Sequence, residues 1–310
     1  MSSLQTLGFQ GGAVLNSSRL PEDFLIQAEM PPDSSVIIAF FPFKDEKKGQ
    51  RIAPFALKNH YKEIIRRLKQ SVREAGSPFS DYSKKELRFF SNSPFPEKEL
   101  AVAAGLGFRG RNTLLITTEY GSRGLLGGMI IPSPLEELSF QAGISGKISC
   151  GSCRLCEEAC PGGALKNYRL NRDLCLQDWT TREGSIPDSL KDVWGQRIYG
   201  CTICQDCCPW NRKSGQGNVI DLGVIDPEPP LEFYLTHSCK DIKKEFKGTA
   251  LGMSWIKGEH LQRNAILSSY HTPGQIDQNR AEIEGFCDSE DEGIRDAARW
   301  VLDQSGQSGN

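Results

Sequence analysis

The feature that most constrains this chain is a pair of cysteine runs. The first reads Cys150-Gly-Ser-Cys153-Arg-Leu-Cys156-Glu-Glu-Ala-Cys160-Pro161, and the second reads Cys201-Thr-Ile-Cys204-Gln-Asp-Cys207-Cys208-Pro209. The first is C-x2-C-x2-C-x3-C-P residue for residue, the bacterial spacing for thiolate ligands of [4Fe–4S] clusters. Short spacers let three thiolates converge on one cubane, while the fourth, just before proline, turns away to a second cluster. In the second run Cys201, Cys204 and Cys208 form C-x2-C-x3-C-P, and Cys175 upstream is available as a further ligand. The spacing predicts one cluster on Cys150, Cys153, Cys156 and Cys208, and another on Cys160, Cys175, Cys201 and Cys204. Cys207 fits neither set and reads as a spare. Paired CxxC motifs also make zinc sites, but one zinc takes only four thiolates and leaves the two Cys-Pro endings unexplained.

Composition decides between this reading and a disulfide scaffold. Of the 11 cysteines, all but Cys239 and Cys287 lie between Cys150 and Cys208 at cluster spacings. Disulfide scaffolds are short chains with higher cysteine fractions, so a reducing, cytoplasmic compartment is expected. A chain of 310 residues has room for two or three domains with sizeable cores. No run approaches the ~18–20 apolar residues of a membrane span. The opening Met-Ser-Ser-Leu-Gln-Thr lacks the basic-then-apolar pattern of a signal peptide. A formal net charge of −2 argues against a broad basic surface while leaving room for a local patch.

The expected fold class is α+β, in three parts: a mixed α/β domain over residues 1–140, a two-cluster ferredoxin-like domain over 141–215 and a small helical region over 216–310. Val36-Ile-Ile-Ala-Phe-Phe41 is an apolar, β-rich run ending at Pro42 and reads as a buried strand. Residues 59–74 form an amphipathic helix with Tyr61, Ile64, Ile65, Leu68 and Val72 on one face, stopped by Gly76. Strands are expected at 87–90, 114–117 and 126–131, with a short helix over 97–104. After a polar linker over 212–218 and a Pro-rich segment, residues 230–235, 240–246, 260–270 and 294–302 read as helices, and 304–310 as a disordered tail.

Gly105-Leu-Gly107-Phe-Arg-Gly110 spells the dinucleotide fingerprint G-x-G-x-x-G. That motif works only after a strand and before a helix, whereas here it follows a helix and precedes a strand. A turn that lets backbone approach a flat ligand or a neighbouring element is the better reading. His60, His237, His260 and His271 form no metal spacing and read as structural or surface residues. Cys239 and Cys287 read as small buried hydrophobes. The pairs Lys47-Lys48 and Lys243-Lys244 read as solvated charge, and Arg263-Asn264 as caps of neighbouring turns ahead of polymer contacts. H-E-x-x-H, G-x-S-x-G and P-loop motifs are absent from the sequence. Two clusters make a short electron wire, and the long stretches on either side of them favour an electron acceptor within the same polypeptide.

The sequence resembles the epoxyqueuosine reductase family, cobalamin-dependent iron–sulfur enzymes that complete queuosine in the tRNA anticodon. Four stretches carry the likeness. They are Ala104-Gly-Leu-Gly-Phe-Arg-Gly-Arg-Asn-Thr-Leu-Leu-Ile116 with Gly121-Ser122 and Leu126-Gly127 beyond it, residues 150–161, Arg197-Ile-Tyr-Gly-Cys201 through Cys208-Pro-Trp-Asn211, and Leu261-Gln-Arg-Asn-Ala265. The resemblance implies the same ligand partition, a cobalamin-binding N-terminal domain and a repeat-like helical C-terminal region that helps hold tRNA. It also implies an external electron donor such as flavodoxin or ferredoxin, and a monomer. Ser91, Arg111, Thr113 and Leu115 would lie along the cobalamin. In the family's mechanism the clusters reduce cobalamin, the cobalt acts on the epoxide, and a carboxylic acid protonates the departing oxygen.

Here the chain departs from the family. The position of that acid falls on Ser91, or on Asn92 with the register moved by one, and neither is a carboxylic acid. The family's D-Y-H appears as Asn59-His60-Tyr61, and little of its opening helix precedes Val36. Three readings follow: a reductase that protonates through water, Tyr61 or another nearby group; a paralogue acting on another substrate or passing electrons to a corrinoid protein; and a pure electron carrier.

Overall fold

The computed structural model describes residues 9, 11–27, 29–43, 51–57, 59–74, 77, 79–83, 85–136, 139–140, 148–213, 226 and 228–307. Packing divides the chain into two units. One comprises Met1–Lys44, His60–Cys156 and Gln205–Leu222, and the other Asp45–Asn59, Glu157–Cys204 and Gly223–Asn310. The three-part division read from sequence follows cofactor chemistry. The packing boundary instead cuts the cysteine-rich segment between Cys156 and Glu157, which leaves each predicted ligand set wholly inside one unit.

The first unit is built on a five-stranded sheet with order β3-β6-β2-β1-β7. Its strands are β1 (Gly11–Asn16), β2 (Ser35–Pro42), β3 (Arg88–Phe90), β6 (Gly124–Ile131) and β7 (Ser139–Phe140). Every pairing is antiparallel, with Ala39 of β2 opposite Gly127 of β6 and Gly12 of β1. β4 (Phe108–Arg109) and β5 (Leu115–Ile116) form a separate hairpin. The helices are α1 (Glu22–Gln27), α2 (His60–Arg73) and α3 (Glu97–Ala103).

β2 is apolar from Val36 to Pro42 because both its faces are covered. Val36, Ile38 and Phe40 pack with Leu100 and Ala101 of α3, while Ile37, Ala39 and Phe41 pack with Ile64, Leu68 and Val72 of α2. Alternation of side chains along a strand sends successive residues to opposite layers. A Cβ at Gly127 would lie 2.3 Å from Ile64 Cγ2, so glycine there lets α2 sit close on the sheet. β1 and α1 precede Val36, where the sequence reading placed no element.

The second unit is mainly helical. Its centre is α4 (Gly258–Tyr270), buried on nearly every side and surrounded by helices Leu231–Thr236, Cys239–Glu245 and α5 (Glu292–Gln307). Short helices Gln275–Gln278 and Arg280–Gly285, absent from the sequence reading, complete this end. A hairpin pairs Leu165–Lys166 with Arg169–Leu170 through Asn167 (φ 49°) and Tyr168 (φ 61°). Two positive φ values in a two-residue loop are the I′ geometry that matches strand twist.

Two expectations are corrected. The tail expected to be disordered from residue 304 is helical to Gln307, with residues 308–310 outside the described set. Lys243 is no solvated charge: its Nζ donates to Leu251 O at 2.9 Å and Met253 O at 3.0 Å, closing the loop after its own helix. Gly76, Lys47-Lys48 and most of the 212–218 linker lie outside the described residues. Among the described residues no helix is long and apolar enough to cross a membrane.

Candidate metal centres

In the first unit, Cys150, Cys153, Cys156 and Cys208 line one cavity of about 180 Å³, walled by Ile116, Leu155, Pro209 and Trp210. Local turns produce the convergence. Gly151 takes φ 54°, and Cys153 N–H donates to Cys150 O at 3.1 Å, which brings the second thiol back beside the first. Cys208 is returned by a turn whose N–H donates to Gln205 O at 3.1 Å. The backbone N–H of Arg111, just beyond β4, donates to Cys150 Sγ at 3.4 Å. The N–H groups of Trp210 and Asn211 serve Cys208.

Asn211 ties this site to the sheet unit. Its Oδ1 accepts from Ser122 N–H at 2.7 Å, and its Nδ2 donates to Gln205 O at 2.7 Å and Ser122 Oγ at 3.0 Å. Gly121 (φ 59°) is required beside it, since a Cβ there would lie 2.0 Å from Asn211 Oδ1. The sequence pairs Gly121-Ser122 and Trp210-Asn211 are therefore two halves of one clasp.

The second set lies in the second unit. Cys160 is followed by a turn in which Gly163 takes φ 64° and Ala164 N–H donates to Cys160 Sγ at 3.3 Å. A Cβ at Gly162 would lie 2.2 Å from Leu174 O, so glycine allows the Cys175 segment to approach. Burial pushes the Cys175 thiol up, as do the charges of Cys201 and Cys160, against backbone N–H groups of Asp178 and Gln177 that favour its thiolate. Gln177 Oε1 accepts from Cys201 N–H at 2.9 Å and so joins the segments that bear Cys175 and Cys201. Cys204 follows within helix Ile203–Asp206. Burial first, and neighbouring thiolates next, likewise raise Cys208 in the other set. Crowded thiols of this kind are stable as thiolates only around a cation that offsets their repulsion, which is what iron supplies.

Among the described residues no three His, Cys, Asp or Glu side chains are grouped as ligands of a single ion would be. Thiols set around a hollow suit a multi-atom cluster better than one zinc. Cys207 stands outside both sets, half-buried, where burial and the charges of Cys208, Asp206 and Cys153 raise its thiol.

The polar residues of α4 hold the second set in place. Arg263 is buried, and its guanidinium donates to the carbonyls of Trp179 (2.6 Å), Arg182 (2.7 Å) and Gly184 (2.8 Å). Asn264 Nδ2 donates to Thr180 O at 2.9 Å and Ile198 O at 2.8 Å. These carbonyls belong to the chain after Cys175 and the chain before Cys201. Arg263 and Asn264 therefore position the two segments around the second set.

The remaining nominated residues are placed as follows. Ser91 Oγ donates to Leu126 O at 2.8 Å, and Asn92 is an exposed turn residue at φ 52°. Leu115 is buried in the core and Thr113 holds φ 62° in the β4–β5 turn. The glycine run serves this hairpin, since a Cβ at Gly107 would lie 2.4 Å from Ile116 O. Sequence reasoning passed over Glu97. Its carboxylate accepts from Ser93 N–H at 2.9 Å and Ser93 Oγ at 2.8 Å, in the same loop as Ser91 and Asn92. Burial holds its pKa above the usual carboxylate range despite these bonds.

Residues 149–211 match the 4Fe–4S double cluster binding domain. The chain is 37% identical to the epoxyqueuosine reductase of Bacillus subtilis (strain 168) over 179 residues, which are 56% of this chain and 44% of that protein. This chain is similar to the epoxyqueuosine reductases. The one from Staphylococcus aureus (strain NCTC 8325 / PS 47) is 34% identical over 211 residues, 67% of this chain and 53% of the relative. The chain thus spans about half the length of these two curated epoxyqueuosine reductases. The solved epoxyqueuosine reductase from Streptococcus thermophilus matches with a TM-score of 0.78 at 22% identity, covering 100% of this chain and 90% of that one. A solved epoxyqueuosine reductase with a tRNA-Tyr epoxyqueuosine-modified stem loop matches with a TM-score of 0.75 at 23% identity, covering 97% and 88%. These two likenesses establish that the fold is shared.

Proposed function

We propose that the protein is an iron–sulfur oxidoreductase that reduces epoxyqueuosine to queuosine in tRNA, using two [4Fe–4S] clusters and cobalamin. An external donor such as flavodoxin or ferredoxin supplies the electrons. The observation that carries this reading is the convergence of Cys150, Cys153, Cys156 and Cys208 on one cavity, in a chain whose residues 149–211 match a double cluster binding domain and whose curated relatives are epoxyqueuosine reductases. Residues 1–140 then form the cofactor domain, 141–215 the cluster domain, and 216–310 the helical region toward the tRNA anticodon. Cobalamin, when bound, supplies a low-valent cobalt for reduction. Leu155, exposed on the lining of the first thiol set's cavity, offers an apolar surface that a macrocycle lying outside that set would cover. Arg111 would hold it from its place on that cavity, with Thr113 and Leu115 contributing backbone because both side chains are buried.

The proton for the departing oxygen comes, in this reading, from Glu97. A carboxyl kept protonated to higher pH by burial has the property a general acid needs. Activity on epoxyqueuosine-containing tRNA, with anaerobically reconstituted protein, cobalamin and a strong reductant, tests the function. Queuosine formation supports it. Its absence, with cobalamin bound and reduced, would transfer the scaffold to another substrate. Glu97→Gln is expected to slow turnover by roughly 10²–10⁴-fold with both clusters retained, and an unchanged rate removes Glu97 from the chemistry.

A further inference from the structure

The hairpin that follows Cys160 carries charge that its surroundings leave unused. Lys166 and Arg169 flank the two-residue turn and are partners in register, so their side chains stand directly opposite on one face. Both are exposed, and among the described residues neither has an ion pair or a side-chain hydrogen bond. The other cations of residues 157–182 are spent, Arg172 on Asp178, and Arg182 on Asp173 and Asp178. Glu157 is turned to the hairpin backbone, its Oε1 accepting from Asn167 N–H at 2.8 Å, which leaves Glu158 as the carboxylate of this stretch with no partner among the described residues. Like charges directly opposite on a strand pair oppose the pairing. The chain keeps that cost on a face open to solvent, where an anionic surface laid against it relieves it.

The hairpin is also joined to a cysteine of the second set by short contacts. Asn171 N–H donates to Ala164 O at 2.8 Å, and Ala164 N–H donates to Cys160 Sγ at 3.3 Å. The base of the hairpin thus lies two hydrogen bonds from Cys160. Beyond the charged pair, Leu165 is partnered with Leu170; Leu165 is buried and Leu170 is 40% exposed, an apolar spot at the edge of the charged face.

We propose that this hairpin is the docking surface for the external electron donor, a small acidic one-electron carrier that sets its carboxylates on Lys166 and Arg169. The proposal rests on the iron–sulfur reading above, with electrons entering by the second thiol set. Redox encounters of this kind are small and brief, and a few complementary charges steer them. Nucleic acid held by charge needs a longer track of phosphate contacts than two cations supply. Each encounter passes one electron: the donor loses it, the chain gains it, and no bond forms or breaks.

The test is anaerobic stopped-flow oxidation of a reduced acidic flavodoxin by the reconstituted full chain, wild type against the double variant Lys166→Glu, Arg169→Glu. At low salt the bimolecular rate constant is expected to fall roughly tenfold or more in the variant, and its dependence on salt to flatten. Reduction of the same two proteins by dithionite, which needs no docking, should proceed at equal rates. An unchanged flavodoxin rate at low salt overturns the proposal, as does a wild type that dithionite reduces and the flavodoxin does not. A variant that keeps the flavodoxin rate but loses affinity for tRNA in a gel-shift assay gives the pair to nucleic acid and overturns it too. If the double variant loses iron, Lys166→Gln with Arg169→Gln decides, and an unchanged rate there overturns it equally. A wild type that holds iron and takes no electron from dithionite would instead overturn the oxidoreductase reading itself.

Discussion

The two thiol sets answer to the same spacing rule but are built by different means. The first gathers its thiols by local turns around an apolar hollow, with one side-chain clasp, Asn211 on Ser122 and Gln205. The second is knitted by long side chains: Gln177 to Cys201, and Arg263 and Asn264 reaching from α4 to the segments that follow Cys175 and precede Cys201. The difference teaches that a cluster motif specifies which thiols can bind iron, while the surroundings decide how firmly the segments bearing them are held.

Removing a ligand should separate the two sets most sharply. Cys153→Ala and Cys175→Ala should each lose roughly half the iron, with different resonance signals surviving, because each thiol serves one cubane. Iron per chain after anaerobic reconstitution measures this. Full iron in either variant, or loss of the same signal in both, would break the partition.

The supports give the next effect. Arg263→Ala leaves three buried carbonyls unpaired and should cost about 3–5 kcal/mol, with preferential loss of the second cluster. Asn211→Ala should cost about 1–3 kcal/mol and loosen the first. Denaturant unfolding together with cluster-specific spectra checks both, and indistinguishable spectra in the two variants would erase the contrast between the two sets.

The smallest effect concerns acid. His260, at the start of α4, is buried, and its Nδ1 accepts from Lys257 N–H at 3.2 Å. Burial first, then the charges of Arg263 and Lys257, lower its pKa from 6.5 to about 4, while Glu183 and Asp291 pull the other way. The unfolded chain therefore binds the proton more tightly than the folded one. The stability due to a neutral His260 is whole above pH 6.5 and is lost as pH falls toward 4, by at most about 3 kcal/mol. Comparing denaturation of wild type and His260→Gln between pH 7.5 and 5 isolates it, and parallel pH profiles would remove His260 as the cause.

Much of the first unit was legible because its signals are local. The apolar run from Val36 to Phe41 became a doubly covered strand, and the stripe of Ile64, Leu68 and Val72 became the face of α2. β1 was not legible. Its Gly11-Gly12-Ala13-Val14 start carries little strand propensity, and its existence depends on pairing with β2 and β7 far along the chain. Arg263 and Asn264, read as caps of neighbouring turns, bind carbonyls 66 to 84 residues away. Glu97 gave no signal of its own, because its burial arises from the loop that folds over it.

The sequence alone determined the proposed ligand partition, since covalent spacing of a few residues governs which thiols can converge and a Cys-Pro ending governs which turns away. It also determined the double coverage of β2, which follows from unbroken apolarity. Only the tertiary structure decided that the chain packs with a boundary between Cys156 and Glu157, and that the buried guanidinium of Arg263 gathers the carbonyls of Trp179, Arg182 and Gly184. Those outcomes depend on desolvation and on hydrogen bonds between segments distant in the chain, quantities that no local pattern of residue types encodes.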